Sequence, residues 1–106
     1  MISEHQFYIN ENNIKLITNK LKILSEESRL RILQVLQDGE KSVSEIVNET
    51  GYLQANVSKQ LKILLDADII SRRTEGKHHY YSIFDTKILK ICQIICSQDN
   101  RVKLRR

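Results

Sequence analysis

Apolar positions along the chain fall into runs whose spacing names the elements. Ile14, Ile17, Leu21 and Leu24 recur at helical spacing through "NNIKLITNKLKIL", which predicts an amphipathic helix over about 11–24 whose stripe needs a partner. "SEESRLRILQVLQDG" predicts a second helix: Ser25 as its cap, Glu26 and Glu27 at its positive end, Leu30, Ile32, Leu33 and Leu36 as its apolar face, and Gly39 at its end. "SVSE" reads as a capping box in which Ser42 accepts from a backbone N–H while Glu45 reaches back. The third helix it opens runs through Ile46 and Val47 to Gly51.

After the turn Gly51-Tyr52-Leu53, a fourth helix is predicted over about 54–67. At 100° per residue, Val57, Leu61, Leu64 and Leu65 share one face, whereas Ala55, Lys59 and Lys62 point the opposite way, flanked by Gln54, Asn56 and Ser58. The outward face is small, amide-bearing and positive. Two helices joined by a short turn, the second carrying such a face, have the form of a helix-turn-helix. "IISRRT-EGK-HHYYSI" then reads as a β-hairpin around Glu75-Gly76-Lys77, a basic wing beside the helices. The last helix, about 86–98, carries Ile88, Ile91, Cys92, Ile95 and Cys96 on one face. Leu89 and Ile94 widen that stripe beyond what a surface helix normally exposes, so the helix requires an interface. The expected fold is therefore α+β: one domain over residues 1–106, a mainly helical winged helix-turn-helix with a two-stranded β-hairpin wing.

Composition narrows the function classes. A chain of 106 residues with 41% apolar side chains supports one core and not two. Lysine and arginine exceed aspartate and glutamate by 17 to 13, a net +4 that favours a polyanionic partner. The start, "MISEHQFYINENN", lacks the apolar run of a signal peptide, and no later stretch approaches membrane length, so a cytoplasmic protein is expected. Cys92 and Cys96 lie four apart in one apolar segment, unlike a disulfide framework, and are expected to be reduced thiols. No nucleophile has a plausible base and orienter, and no glycine loop is built to cradle phosphate, so catalysis is not expected. No cofactor is expected either.

The run "LKILSEESRLRILQVLQDGEKSVSEIV…ANVSKQLKILLDADIISRRTEGKHHYYSI" resembles the ArsR/SmtB family of bacterial winged-helix repressors, with the "SRLRIL", "VSKQLKIL" and "EGKHHYYSI" segments in that family's order and spacing over roughly residues 20–84. The resemblance implies a homodimer through the first and last helices, about 11–24 and 86–98, which releases operator DNA when an effector binds or a thiol reacts. It also identifies departures. Where metal-sensing members carry two cysteines in the third helix, this chain has Ser42 and Ser44. The family's other site aligns with Asp85, Lys87, Gln98 and Arg101, a set with two cations and an amide that cannot assemble a tetrahedral zinc site. Gln34 stands where sulfur-sensing relatives have a second-helix cysteine. No metal site is expected.

Gln54, Ala55, Asn56, Ser58, Lys59 and Lys62 are the candidate readers of double-stranded DNA. Gln54 and Asn56 suit bidentate contact with adenine, and Lys59 suits guanine or phosphate; the alternative is a solvated helix face. Leu53 occupies the position where relatives place a capping serine. Arg72, Arg73, Lys77 and His78, with His79, are expected over the sugar-phosphate backbone, the alternative being a merely soluble hairpin tip. Neighbouring strand residues point to opposite faces, which argues against His78 and His79 sharing a metal. His5 is isolated and uninformative. Cys92 and Cys96 carry two readings: small hydrophobes in a core, or a sensor for a thiol-reactive effector whose identity the sequence does not give. The expected function is a DNA-binding transcriptional repressor acting as a homodimer on a palindromic operator. The rival is a winged-helix protein-interaction module without sequence-specific DNA binding.

Overall fold

The computed structural model describes residues 9–98. His5, Arg101 and the "RVKLRR" end lie outside the described residues. In chain order the elements are α1 (Glu11–Leu24), α2 (Glu27–Leu36), β1 (Lys41–Ser42), α3 (Val43–Thr50), α4 (Gln54–Asp66), β2 (Ile70–Glu75), β3 (His78–Ile83) and α5 (Thr86–Gln98).

Local chemistry explains most boundaries. Asn10 opens α1 by accepting from the N–H of Asn13 at 2.9 Å. Ser25 does not cap α2, as its position suggests; its Oγ donates to the Lys22 carbonyl at 2.7 Å and closes α1. With only Ser25 and Glu26 between the two helices, Glu26 takes the α2 N-cap, in extended backbone, and accepts from the N–H of Ser28. Hydrogen bonds from the Ser28 hydroxyl and N–H hold the Glu26 carboxyl below its usual range. The capping box of α3 is complete: Glu45 N–H donates to Ser42 Oγ at 3.2 Å and Ser42 N–H to Glu45 Oε1 at 2.9 Å. Gly51, at φ 76°, ends that helix in the left-handed region glycine tolerates.

α4 begins without a side-chain cap at Leu53 and stops in a Schellman turn, with Ile69 N–H reaching the Leu64 carbonyl and Asp68 N–H the Leu65 carbonyl. Asp68 holds the left-handed position at φ 57°.

The sheet has three antiparallel strands in the order β1-β3-β2: the expected two-stranded hairpin is β2 with β3, and the short β1 adds a third strand beside β3. Lys41 pairs with Tyr81 and Ser42 with Tyr80. Two residues are too short to show alternation, and they are extended because Ser42 must be extended to cap α3. β2 and β3 join through Gly76 and Lys77, with Glu75 opposite His78. Only Gly76 of that pair has positive φ, the pattern of a type II′ turn.

The core is Ile32, Leu33 and Leu36 of α2, Ile46 of α3, Val57, Leu61 and Leu64 of α4, and Ile69, Ile70 and Tyr81 at the sheet. Helical periodicity brings the residues of α2, α3 and α4 inward, and strand alternation turns Ile70 and Tyr81 to the same side. α1 joins the core through Ile23 and Leu24 and α5 through Ile88. Beyond those anchors, Ile14, Leu16, Ile17 and Leu21 of α1 and Ile91, Ile94 and Ile95 of α5 remain exposed. No helix among the described residues is long and apolar enough to cross a membrane.

Candidate nucleic-acid interface

The inward turn of α4 on Val57, Leu61 and Leu64 sends Gln54, Ala55, Ser58, Lys59 and Lys62 to the surface. Lys59 makes no ion pair or hydrogen bond among the described residues. Lys62 sits 3.6 Å from Asp66 one turn along, with both side chains largely exposed. Such a pair is screened by salt and readily exchanged for a stronger anion. Because no side chain caps α4, its first turn also presents N–H groups and the positive end of the helix dipole.

Strand register separates two neighbouring arginines. Arg72 pairs across from the buried Tyr81, on the sheet face that turns toward α4. There it shares a cleft of about 540 Å³ with Ser58, Lys62, Leu65, Asp66 and Tyr81, and it has no ion-pair partner among the described residues. Arg73 pairs across from Tyr80 and faces the other way. Its Nη2 and Nε donate to the two carboxylate oxygens of Glu40 at 2.9 and 3.0 Å, its Nη1 donates to Glu75, and its guanidinium lies 4.8 Å from the Tyr80 ring centroid. Hydrogen bonds to Glu40 and then Glu75 push the guanidinium pKa further up, and the Glu40 carboxyl is held low in turn. The expectation treated Arg72 and Arg73 alike, whereas the structure engages one and leaves the other available. Glu40 is 33 positions away in sequence, so nothing near Arg73 announces it.

At the hairpin tip Lys77 is exposed and has no ion-pair or hydrogen-bond partner among the described residues. His78 lies on the Arg73 face, its ring centroid 6.4 Å from that of Tyr80. His79 lies on the other face, with Nδ1 2.9 Å from Thr74 Oγ1.

Asn56 is only partly exposed, and a polar chain reaches it from inside the protein. Arg29 of α2 donates through Nη1 to the Ile23 carbonyl at 3.0 Å and through Nε to Gln60 Oε1 at 2.8 Å. Gln60 donates through Nε2 to Asn56 Oδ1 at 2.9 Å. At 5% exposure, Gln60 is the buried polar side chain of the described core. Periodicity places residue 60 beside Val57 and Leu61 but does not say what an amide would find there. Its signal was a glutamine on an otherwise apolar face.

The thiols lie elsewhere. Cys92 is half-buried and Cys96 exposed, both free. They line a cleft of about 790 Å³ between α2 and α5 with Leu30, Leu33, Gln34 and Leu89. Of the metal-aligned positions, Ser42 caps α3 and Ser44 is exposed. Asp85 accepts from Lys20 Nζ at 3.2 Å and from the N–H of Lys87 at 3.1 Å. Burial raises the Asp85 pKa, but these partners outweigh it and the carboxyl sits below its usual range. Among the described residues no three His, Cys, Asp or Glu side chains are grouped to hold a metal ion.

Comparison with known proteins agrees with this geometry. Residues 26–72 match the arsR family of bacterial regulatory proteins. The arsenical resistance operon repressor of Staphylococcus aureus is 33% identical over 69 residues, covering 65% of this chain and 66% of that protein, just under two thirds of its length. The biofilm growth-associated repressor of Xylella fastidiosa is 30% identical over 89 residues, 80% of this chain and 78% of that one. The crystal structure of Rv0081 from Mycobacterium tuberculosis superposes with a TM-score of 0.77 at 30% identity, covering 92% of this chain and 98% of its own. By a sequence match across most of its length and by its fold, this chain belongs to the ArsR family of bacterial regulatory proteins.

Proposed function

We propose that the protein is a cytoplasmic transcriptional repressor that binds an inverted repeat in double-stranded DNA as a homodimer. The observation that carries this reading is the exposed face of α4, where Gln54, Ala55, Ser58 and Lys59 stand clear of the core with Arg72 beside them. That face is the right size and charge for the major groove, and Lys77 at the wing tip is free to meet a phosphate. The exposed stripes of α1 and α5 support the homodimer, since an apolar face of this extent on a small domain marks an interface. Two recognition helices are also needed to specify a promoter, because one covers too few base pairs.

Repression, rather than another regulatory output, is supported by the repressors among its relatives. For the effector, Cys92 and Cys96 offer the soft, oxidisable chemistry within the described residues, and their cleft runs between α2 and α5, where a reaction would alter how the two protomers meet. Binding to a labelled duplex in the presence of excess nonspecific competitor tests the reading. Retained complex supports sequence-selective DNA binding; complete loss with competitor favours a basic face that docks an acidic protein.

A further inference from the structure

We infer that Gln60 is a positioning residue for sequence readout: clamped by Arg29, it turns the Asn56 amide so that the recognition helix offers a hydrogen-bond donor, rather than a donor-acceptor pair, to the base edge. This rests on the proposed insertion of α4 into the major groove.

The orientation follows from hydrogen-bond inventory. A guanidinium has donors and no acceptor, so the Gln60 atom 2.8 Å from Arg29 Nε must be the oxygen. The Gln60 NH₂ is thereby directed at Asn56, and the atom it meets at 2.9 Å must be an acceptor, Oδ1. That leaves the Nδ2 donors of Asn56 for the outside. Each link is enforced by the one before it, and the first is anchored because Arg29 also donates to the Ile23 carbonyl at the end of α1. A bidentate contact with adenine needs both amide atoms of Asn56 on one base edge. Turning Oδ1 outward would leave the Gln60 amide, 5% exposed, without its acceptor. Asn56 should therefore favour edges that present acceptors, guanine N7 and O6 or thymine O4, and disfavour the exposed amino group of cytosine. Gln54, with no such tether among the described residues, keeps both amide atoms for adenine.

The same inventory supplies the test. Gln60→Glu still accepts from Arg29 but offers Asn56 an oxygen, so the Asn56 amide should reverse and present Oδ1 outward. Asn56→Asp should give the same outward acceptor without altering the buried position, which keeps the test informative if a buried carboxylate disturbs folding. Binding of wild type, Asn56→Ala, Gln60→Glu, Asn56→Asp and the Gln60→Glu/Asn56→Ala double variant would be measured on operators carrying each base in turn at every half-site position. Asn56→Ala should relax preference at one position. At that position Gln60→Glu and Asn56→Asp should shift preference from guanine or thymine toward cytosine or adenine by about fivefold, the worth of one hydrogen bond. In the Asn56→Ala background Gln60→Glu should shift nothing. Added negative charge lowers affinity for all sequences alike, so the ratio between bases is the readout. If Gln60→Glu weakens binding uniformly and leaves the ratios unchanged, whatever Asn56→Asp does, Gln60 only packs and the inference is overturned. If wild type itself discriminates no sequences, the DNA-binding reading beneath it fails as well.

Discussion

Replacing Arg72 or Arg73 by alanine should give two different proteins, although the residues are adjacent and chemically identical. Each substitution removes one positive charge per protomer, so long-range electrostatics change equally and the comparison isolates contact. Arg72 lies in the cleft beside Ser58 and Lys62 without an acidic partner, whereas Arg73 is gripped by Glu40 and Glu75 on the opposite face of the sheet. If Arg72 meets one phosphate in each half-site, a dimer of the Arg72→Ala variant loses two contacts. The slope of log affinity against log salt then falls by about 1.8. Between roughly 50 and 200 mM salt, the advantage of wild type over the variant should shrink about twelvefold. Arg73→Ala should leave that slope near the wild-type value and act on the hairpin, where release of Glu40 and Glu75 should speed amide exchange in β2 and β3. Fluorescence anisotropy titrations over a salt series, with hydrogen exchange on the free proteins, check both halves. Equal slope losses for the two variants, or an unchanged slope for Arg72→Ala, would refute the division of labour.

Other consequences can be checked singly. Leu53 is 80% exposed and occupies an uncapped α4 N-terminus in extended backbone, so Leu53→Ser should stabilise the fold by about 1 kcal/mol, seen as a raised urea midpoint at fixed protein concentration with unchanged slope. Asp85, its carboxyl held low by Lys20 and Lys87, contributes stability at neutral pH that is lost as the pH falls through its folded value; thermal melts should therefore show Asp85→Asn less stable than wild type at pH 7, with the gap closing below roughly pH 4. Operator affinity of wild type should drop on treatment with oxidant, polysulfide or arsenite, while the Cys92→Ser/Cys96→Ser double variant should be insensitive; unchanged wild-type affinity would mark the thiols as packing residues.

What was legible in sequence was whatever is decided within a few positions. The capping box Ser42–Glu45, the glycines that close α3 and turn the hairpin, and the apolar period of α4 each act over one helical turn or less, and each is present. The missing cap at Leu53 was legible through the resemblance, which places a capping serine there. What escaped depends on partners distant in the chain. The extended backbone that caps α3 becomes a strand where β3 passes beside Lys41 and Ser42. Alternation puts Arg72 and Arg73 on opposite faces of β2, but which of them is engaged appears only when Glu40 is brought alongside Arg73. Asn56 looks like a free amide until Gln60, oriented by Arg29 from another helix, takes its oxygen. Ser25 against Glu26 is a case of a different kind: both can cap, and with Ser25 closing α1 the α2 cap falls to Glu26.

In the proposed complex, two copies of α4 read an inverted repeat. Selection of bound sequences from a random duplex pool, followed by sedimentation of the protein on the selected duplex, tests it directly. The expected result is a palindromic consensus with half-site centres about one helical turn apart, and two protomers bound per duplex. A pool that converges on no consensus, or a selected duplex that carries a single protomer, would contradict the account.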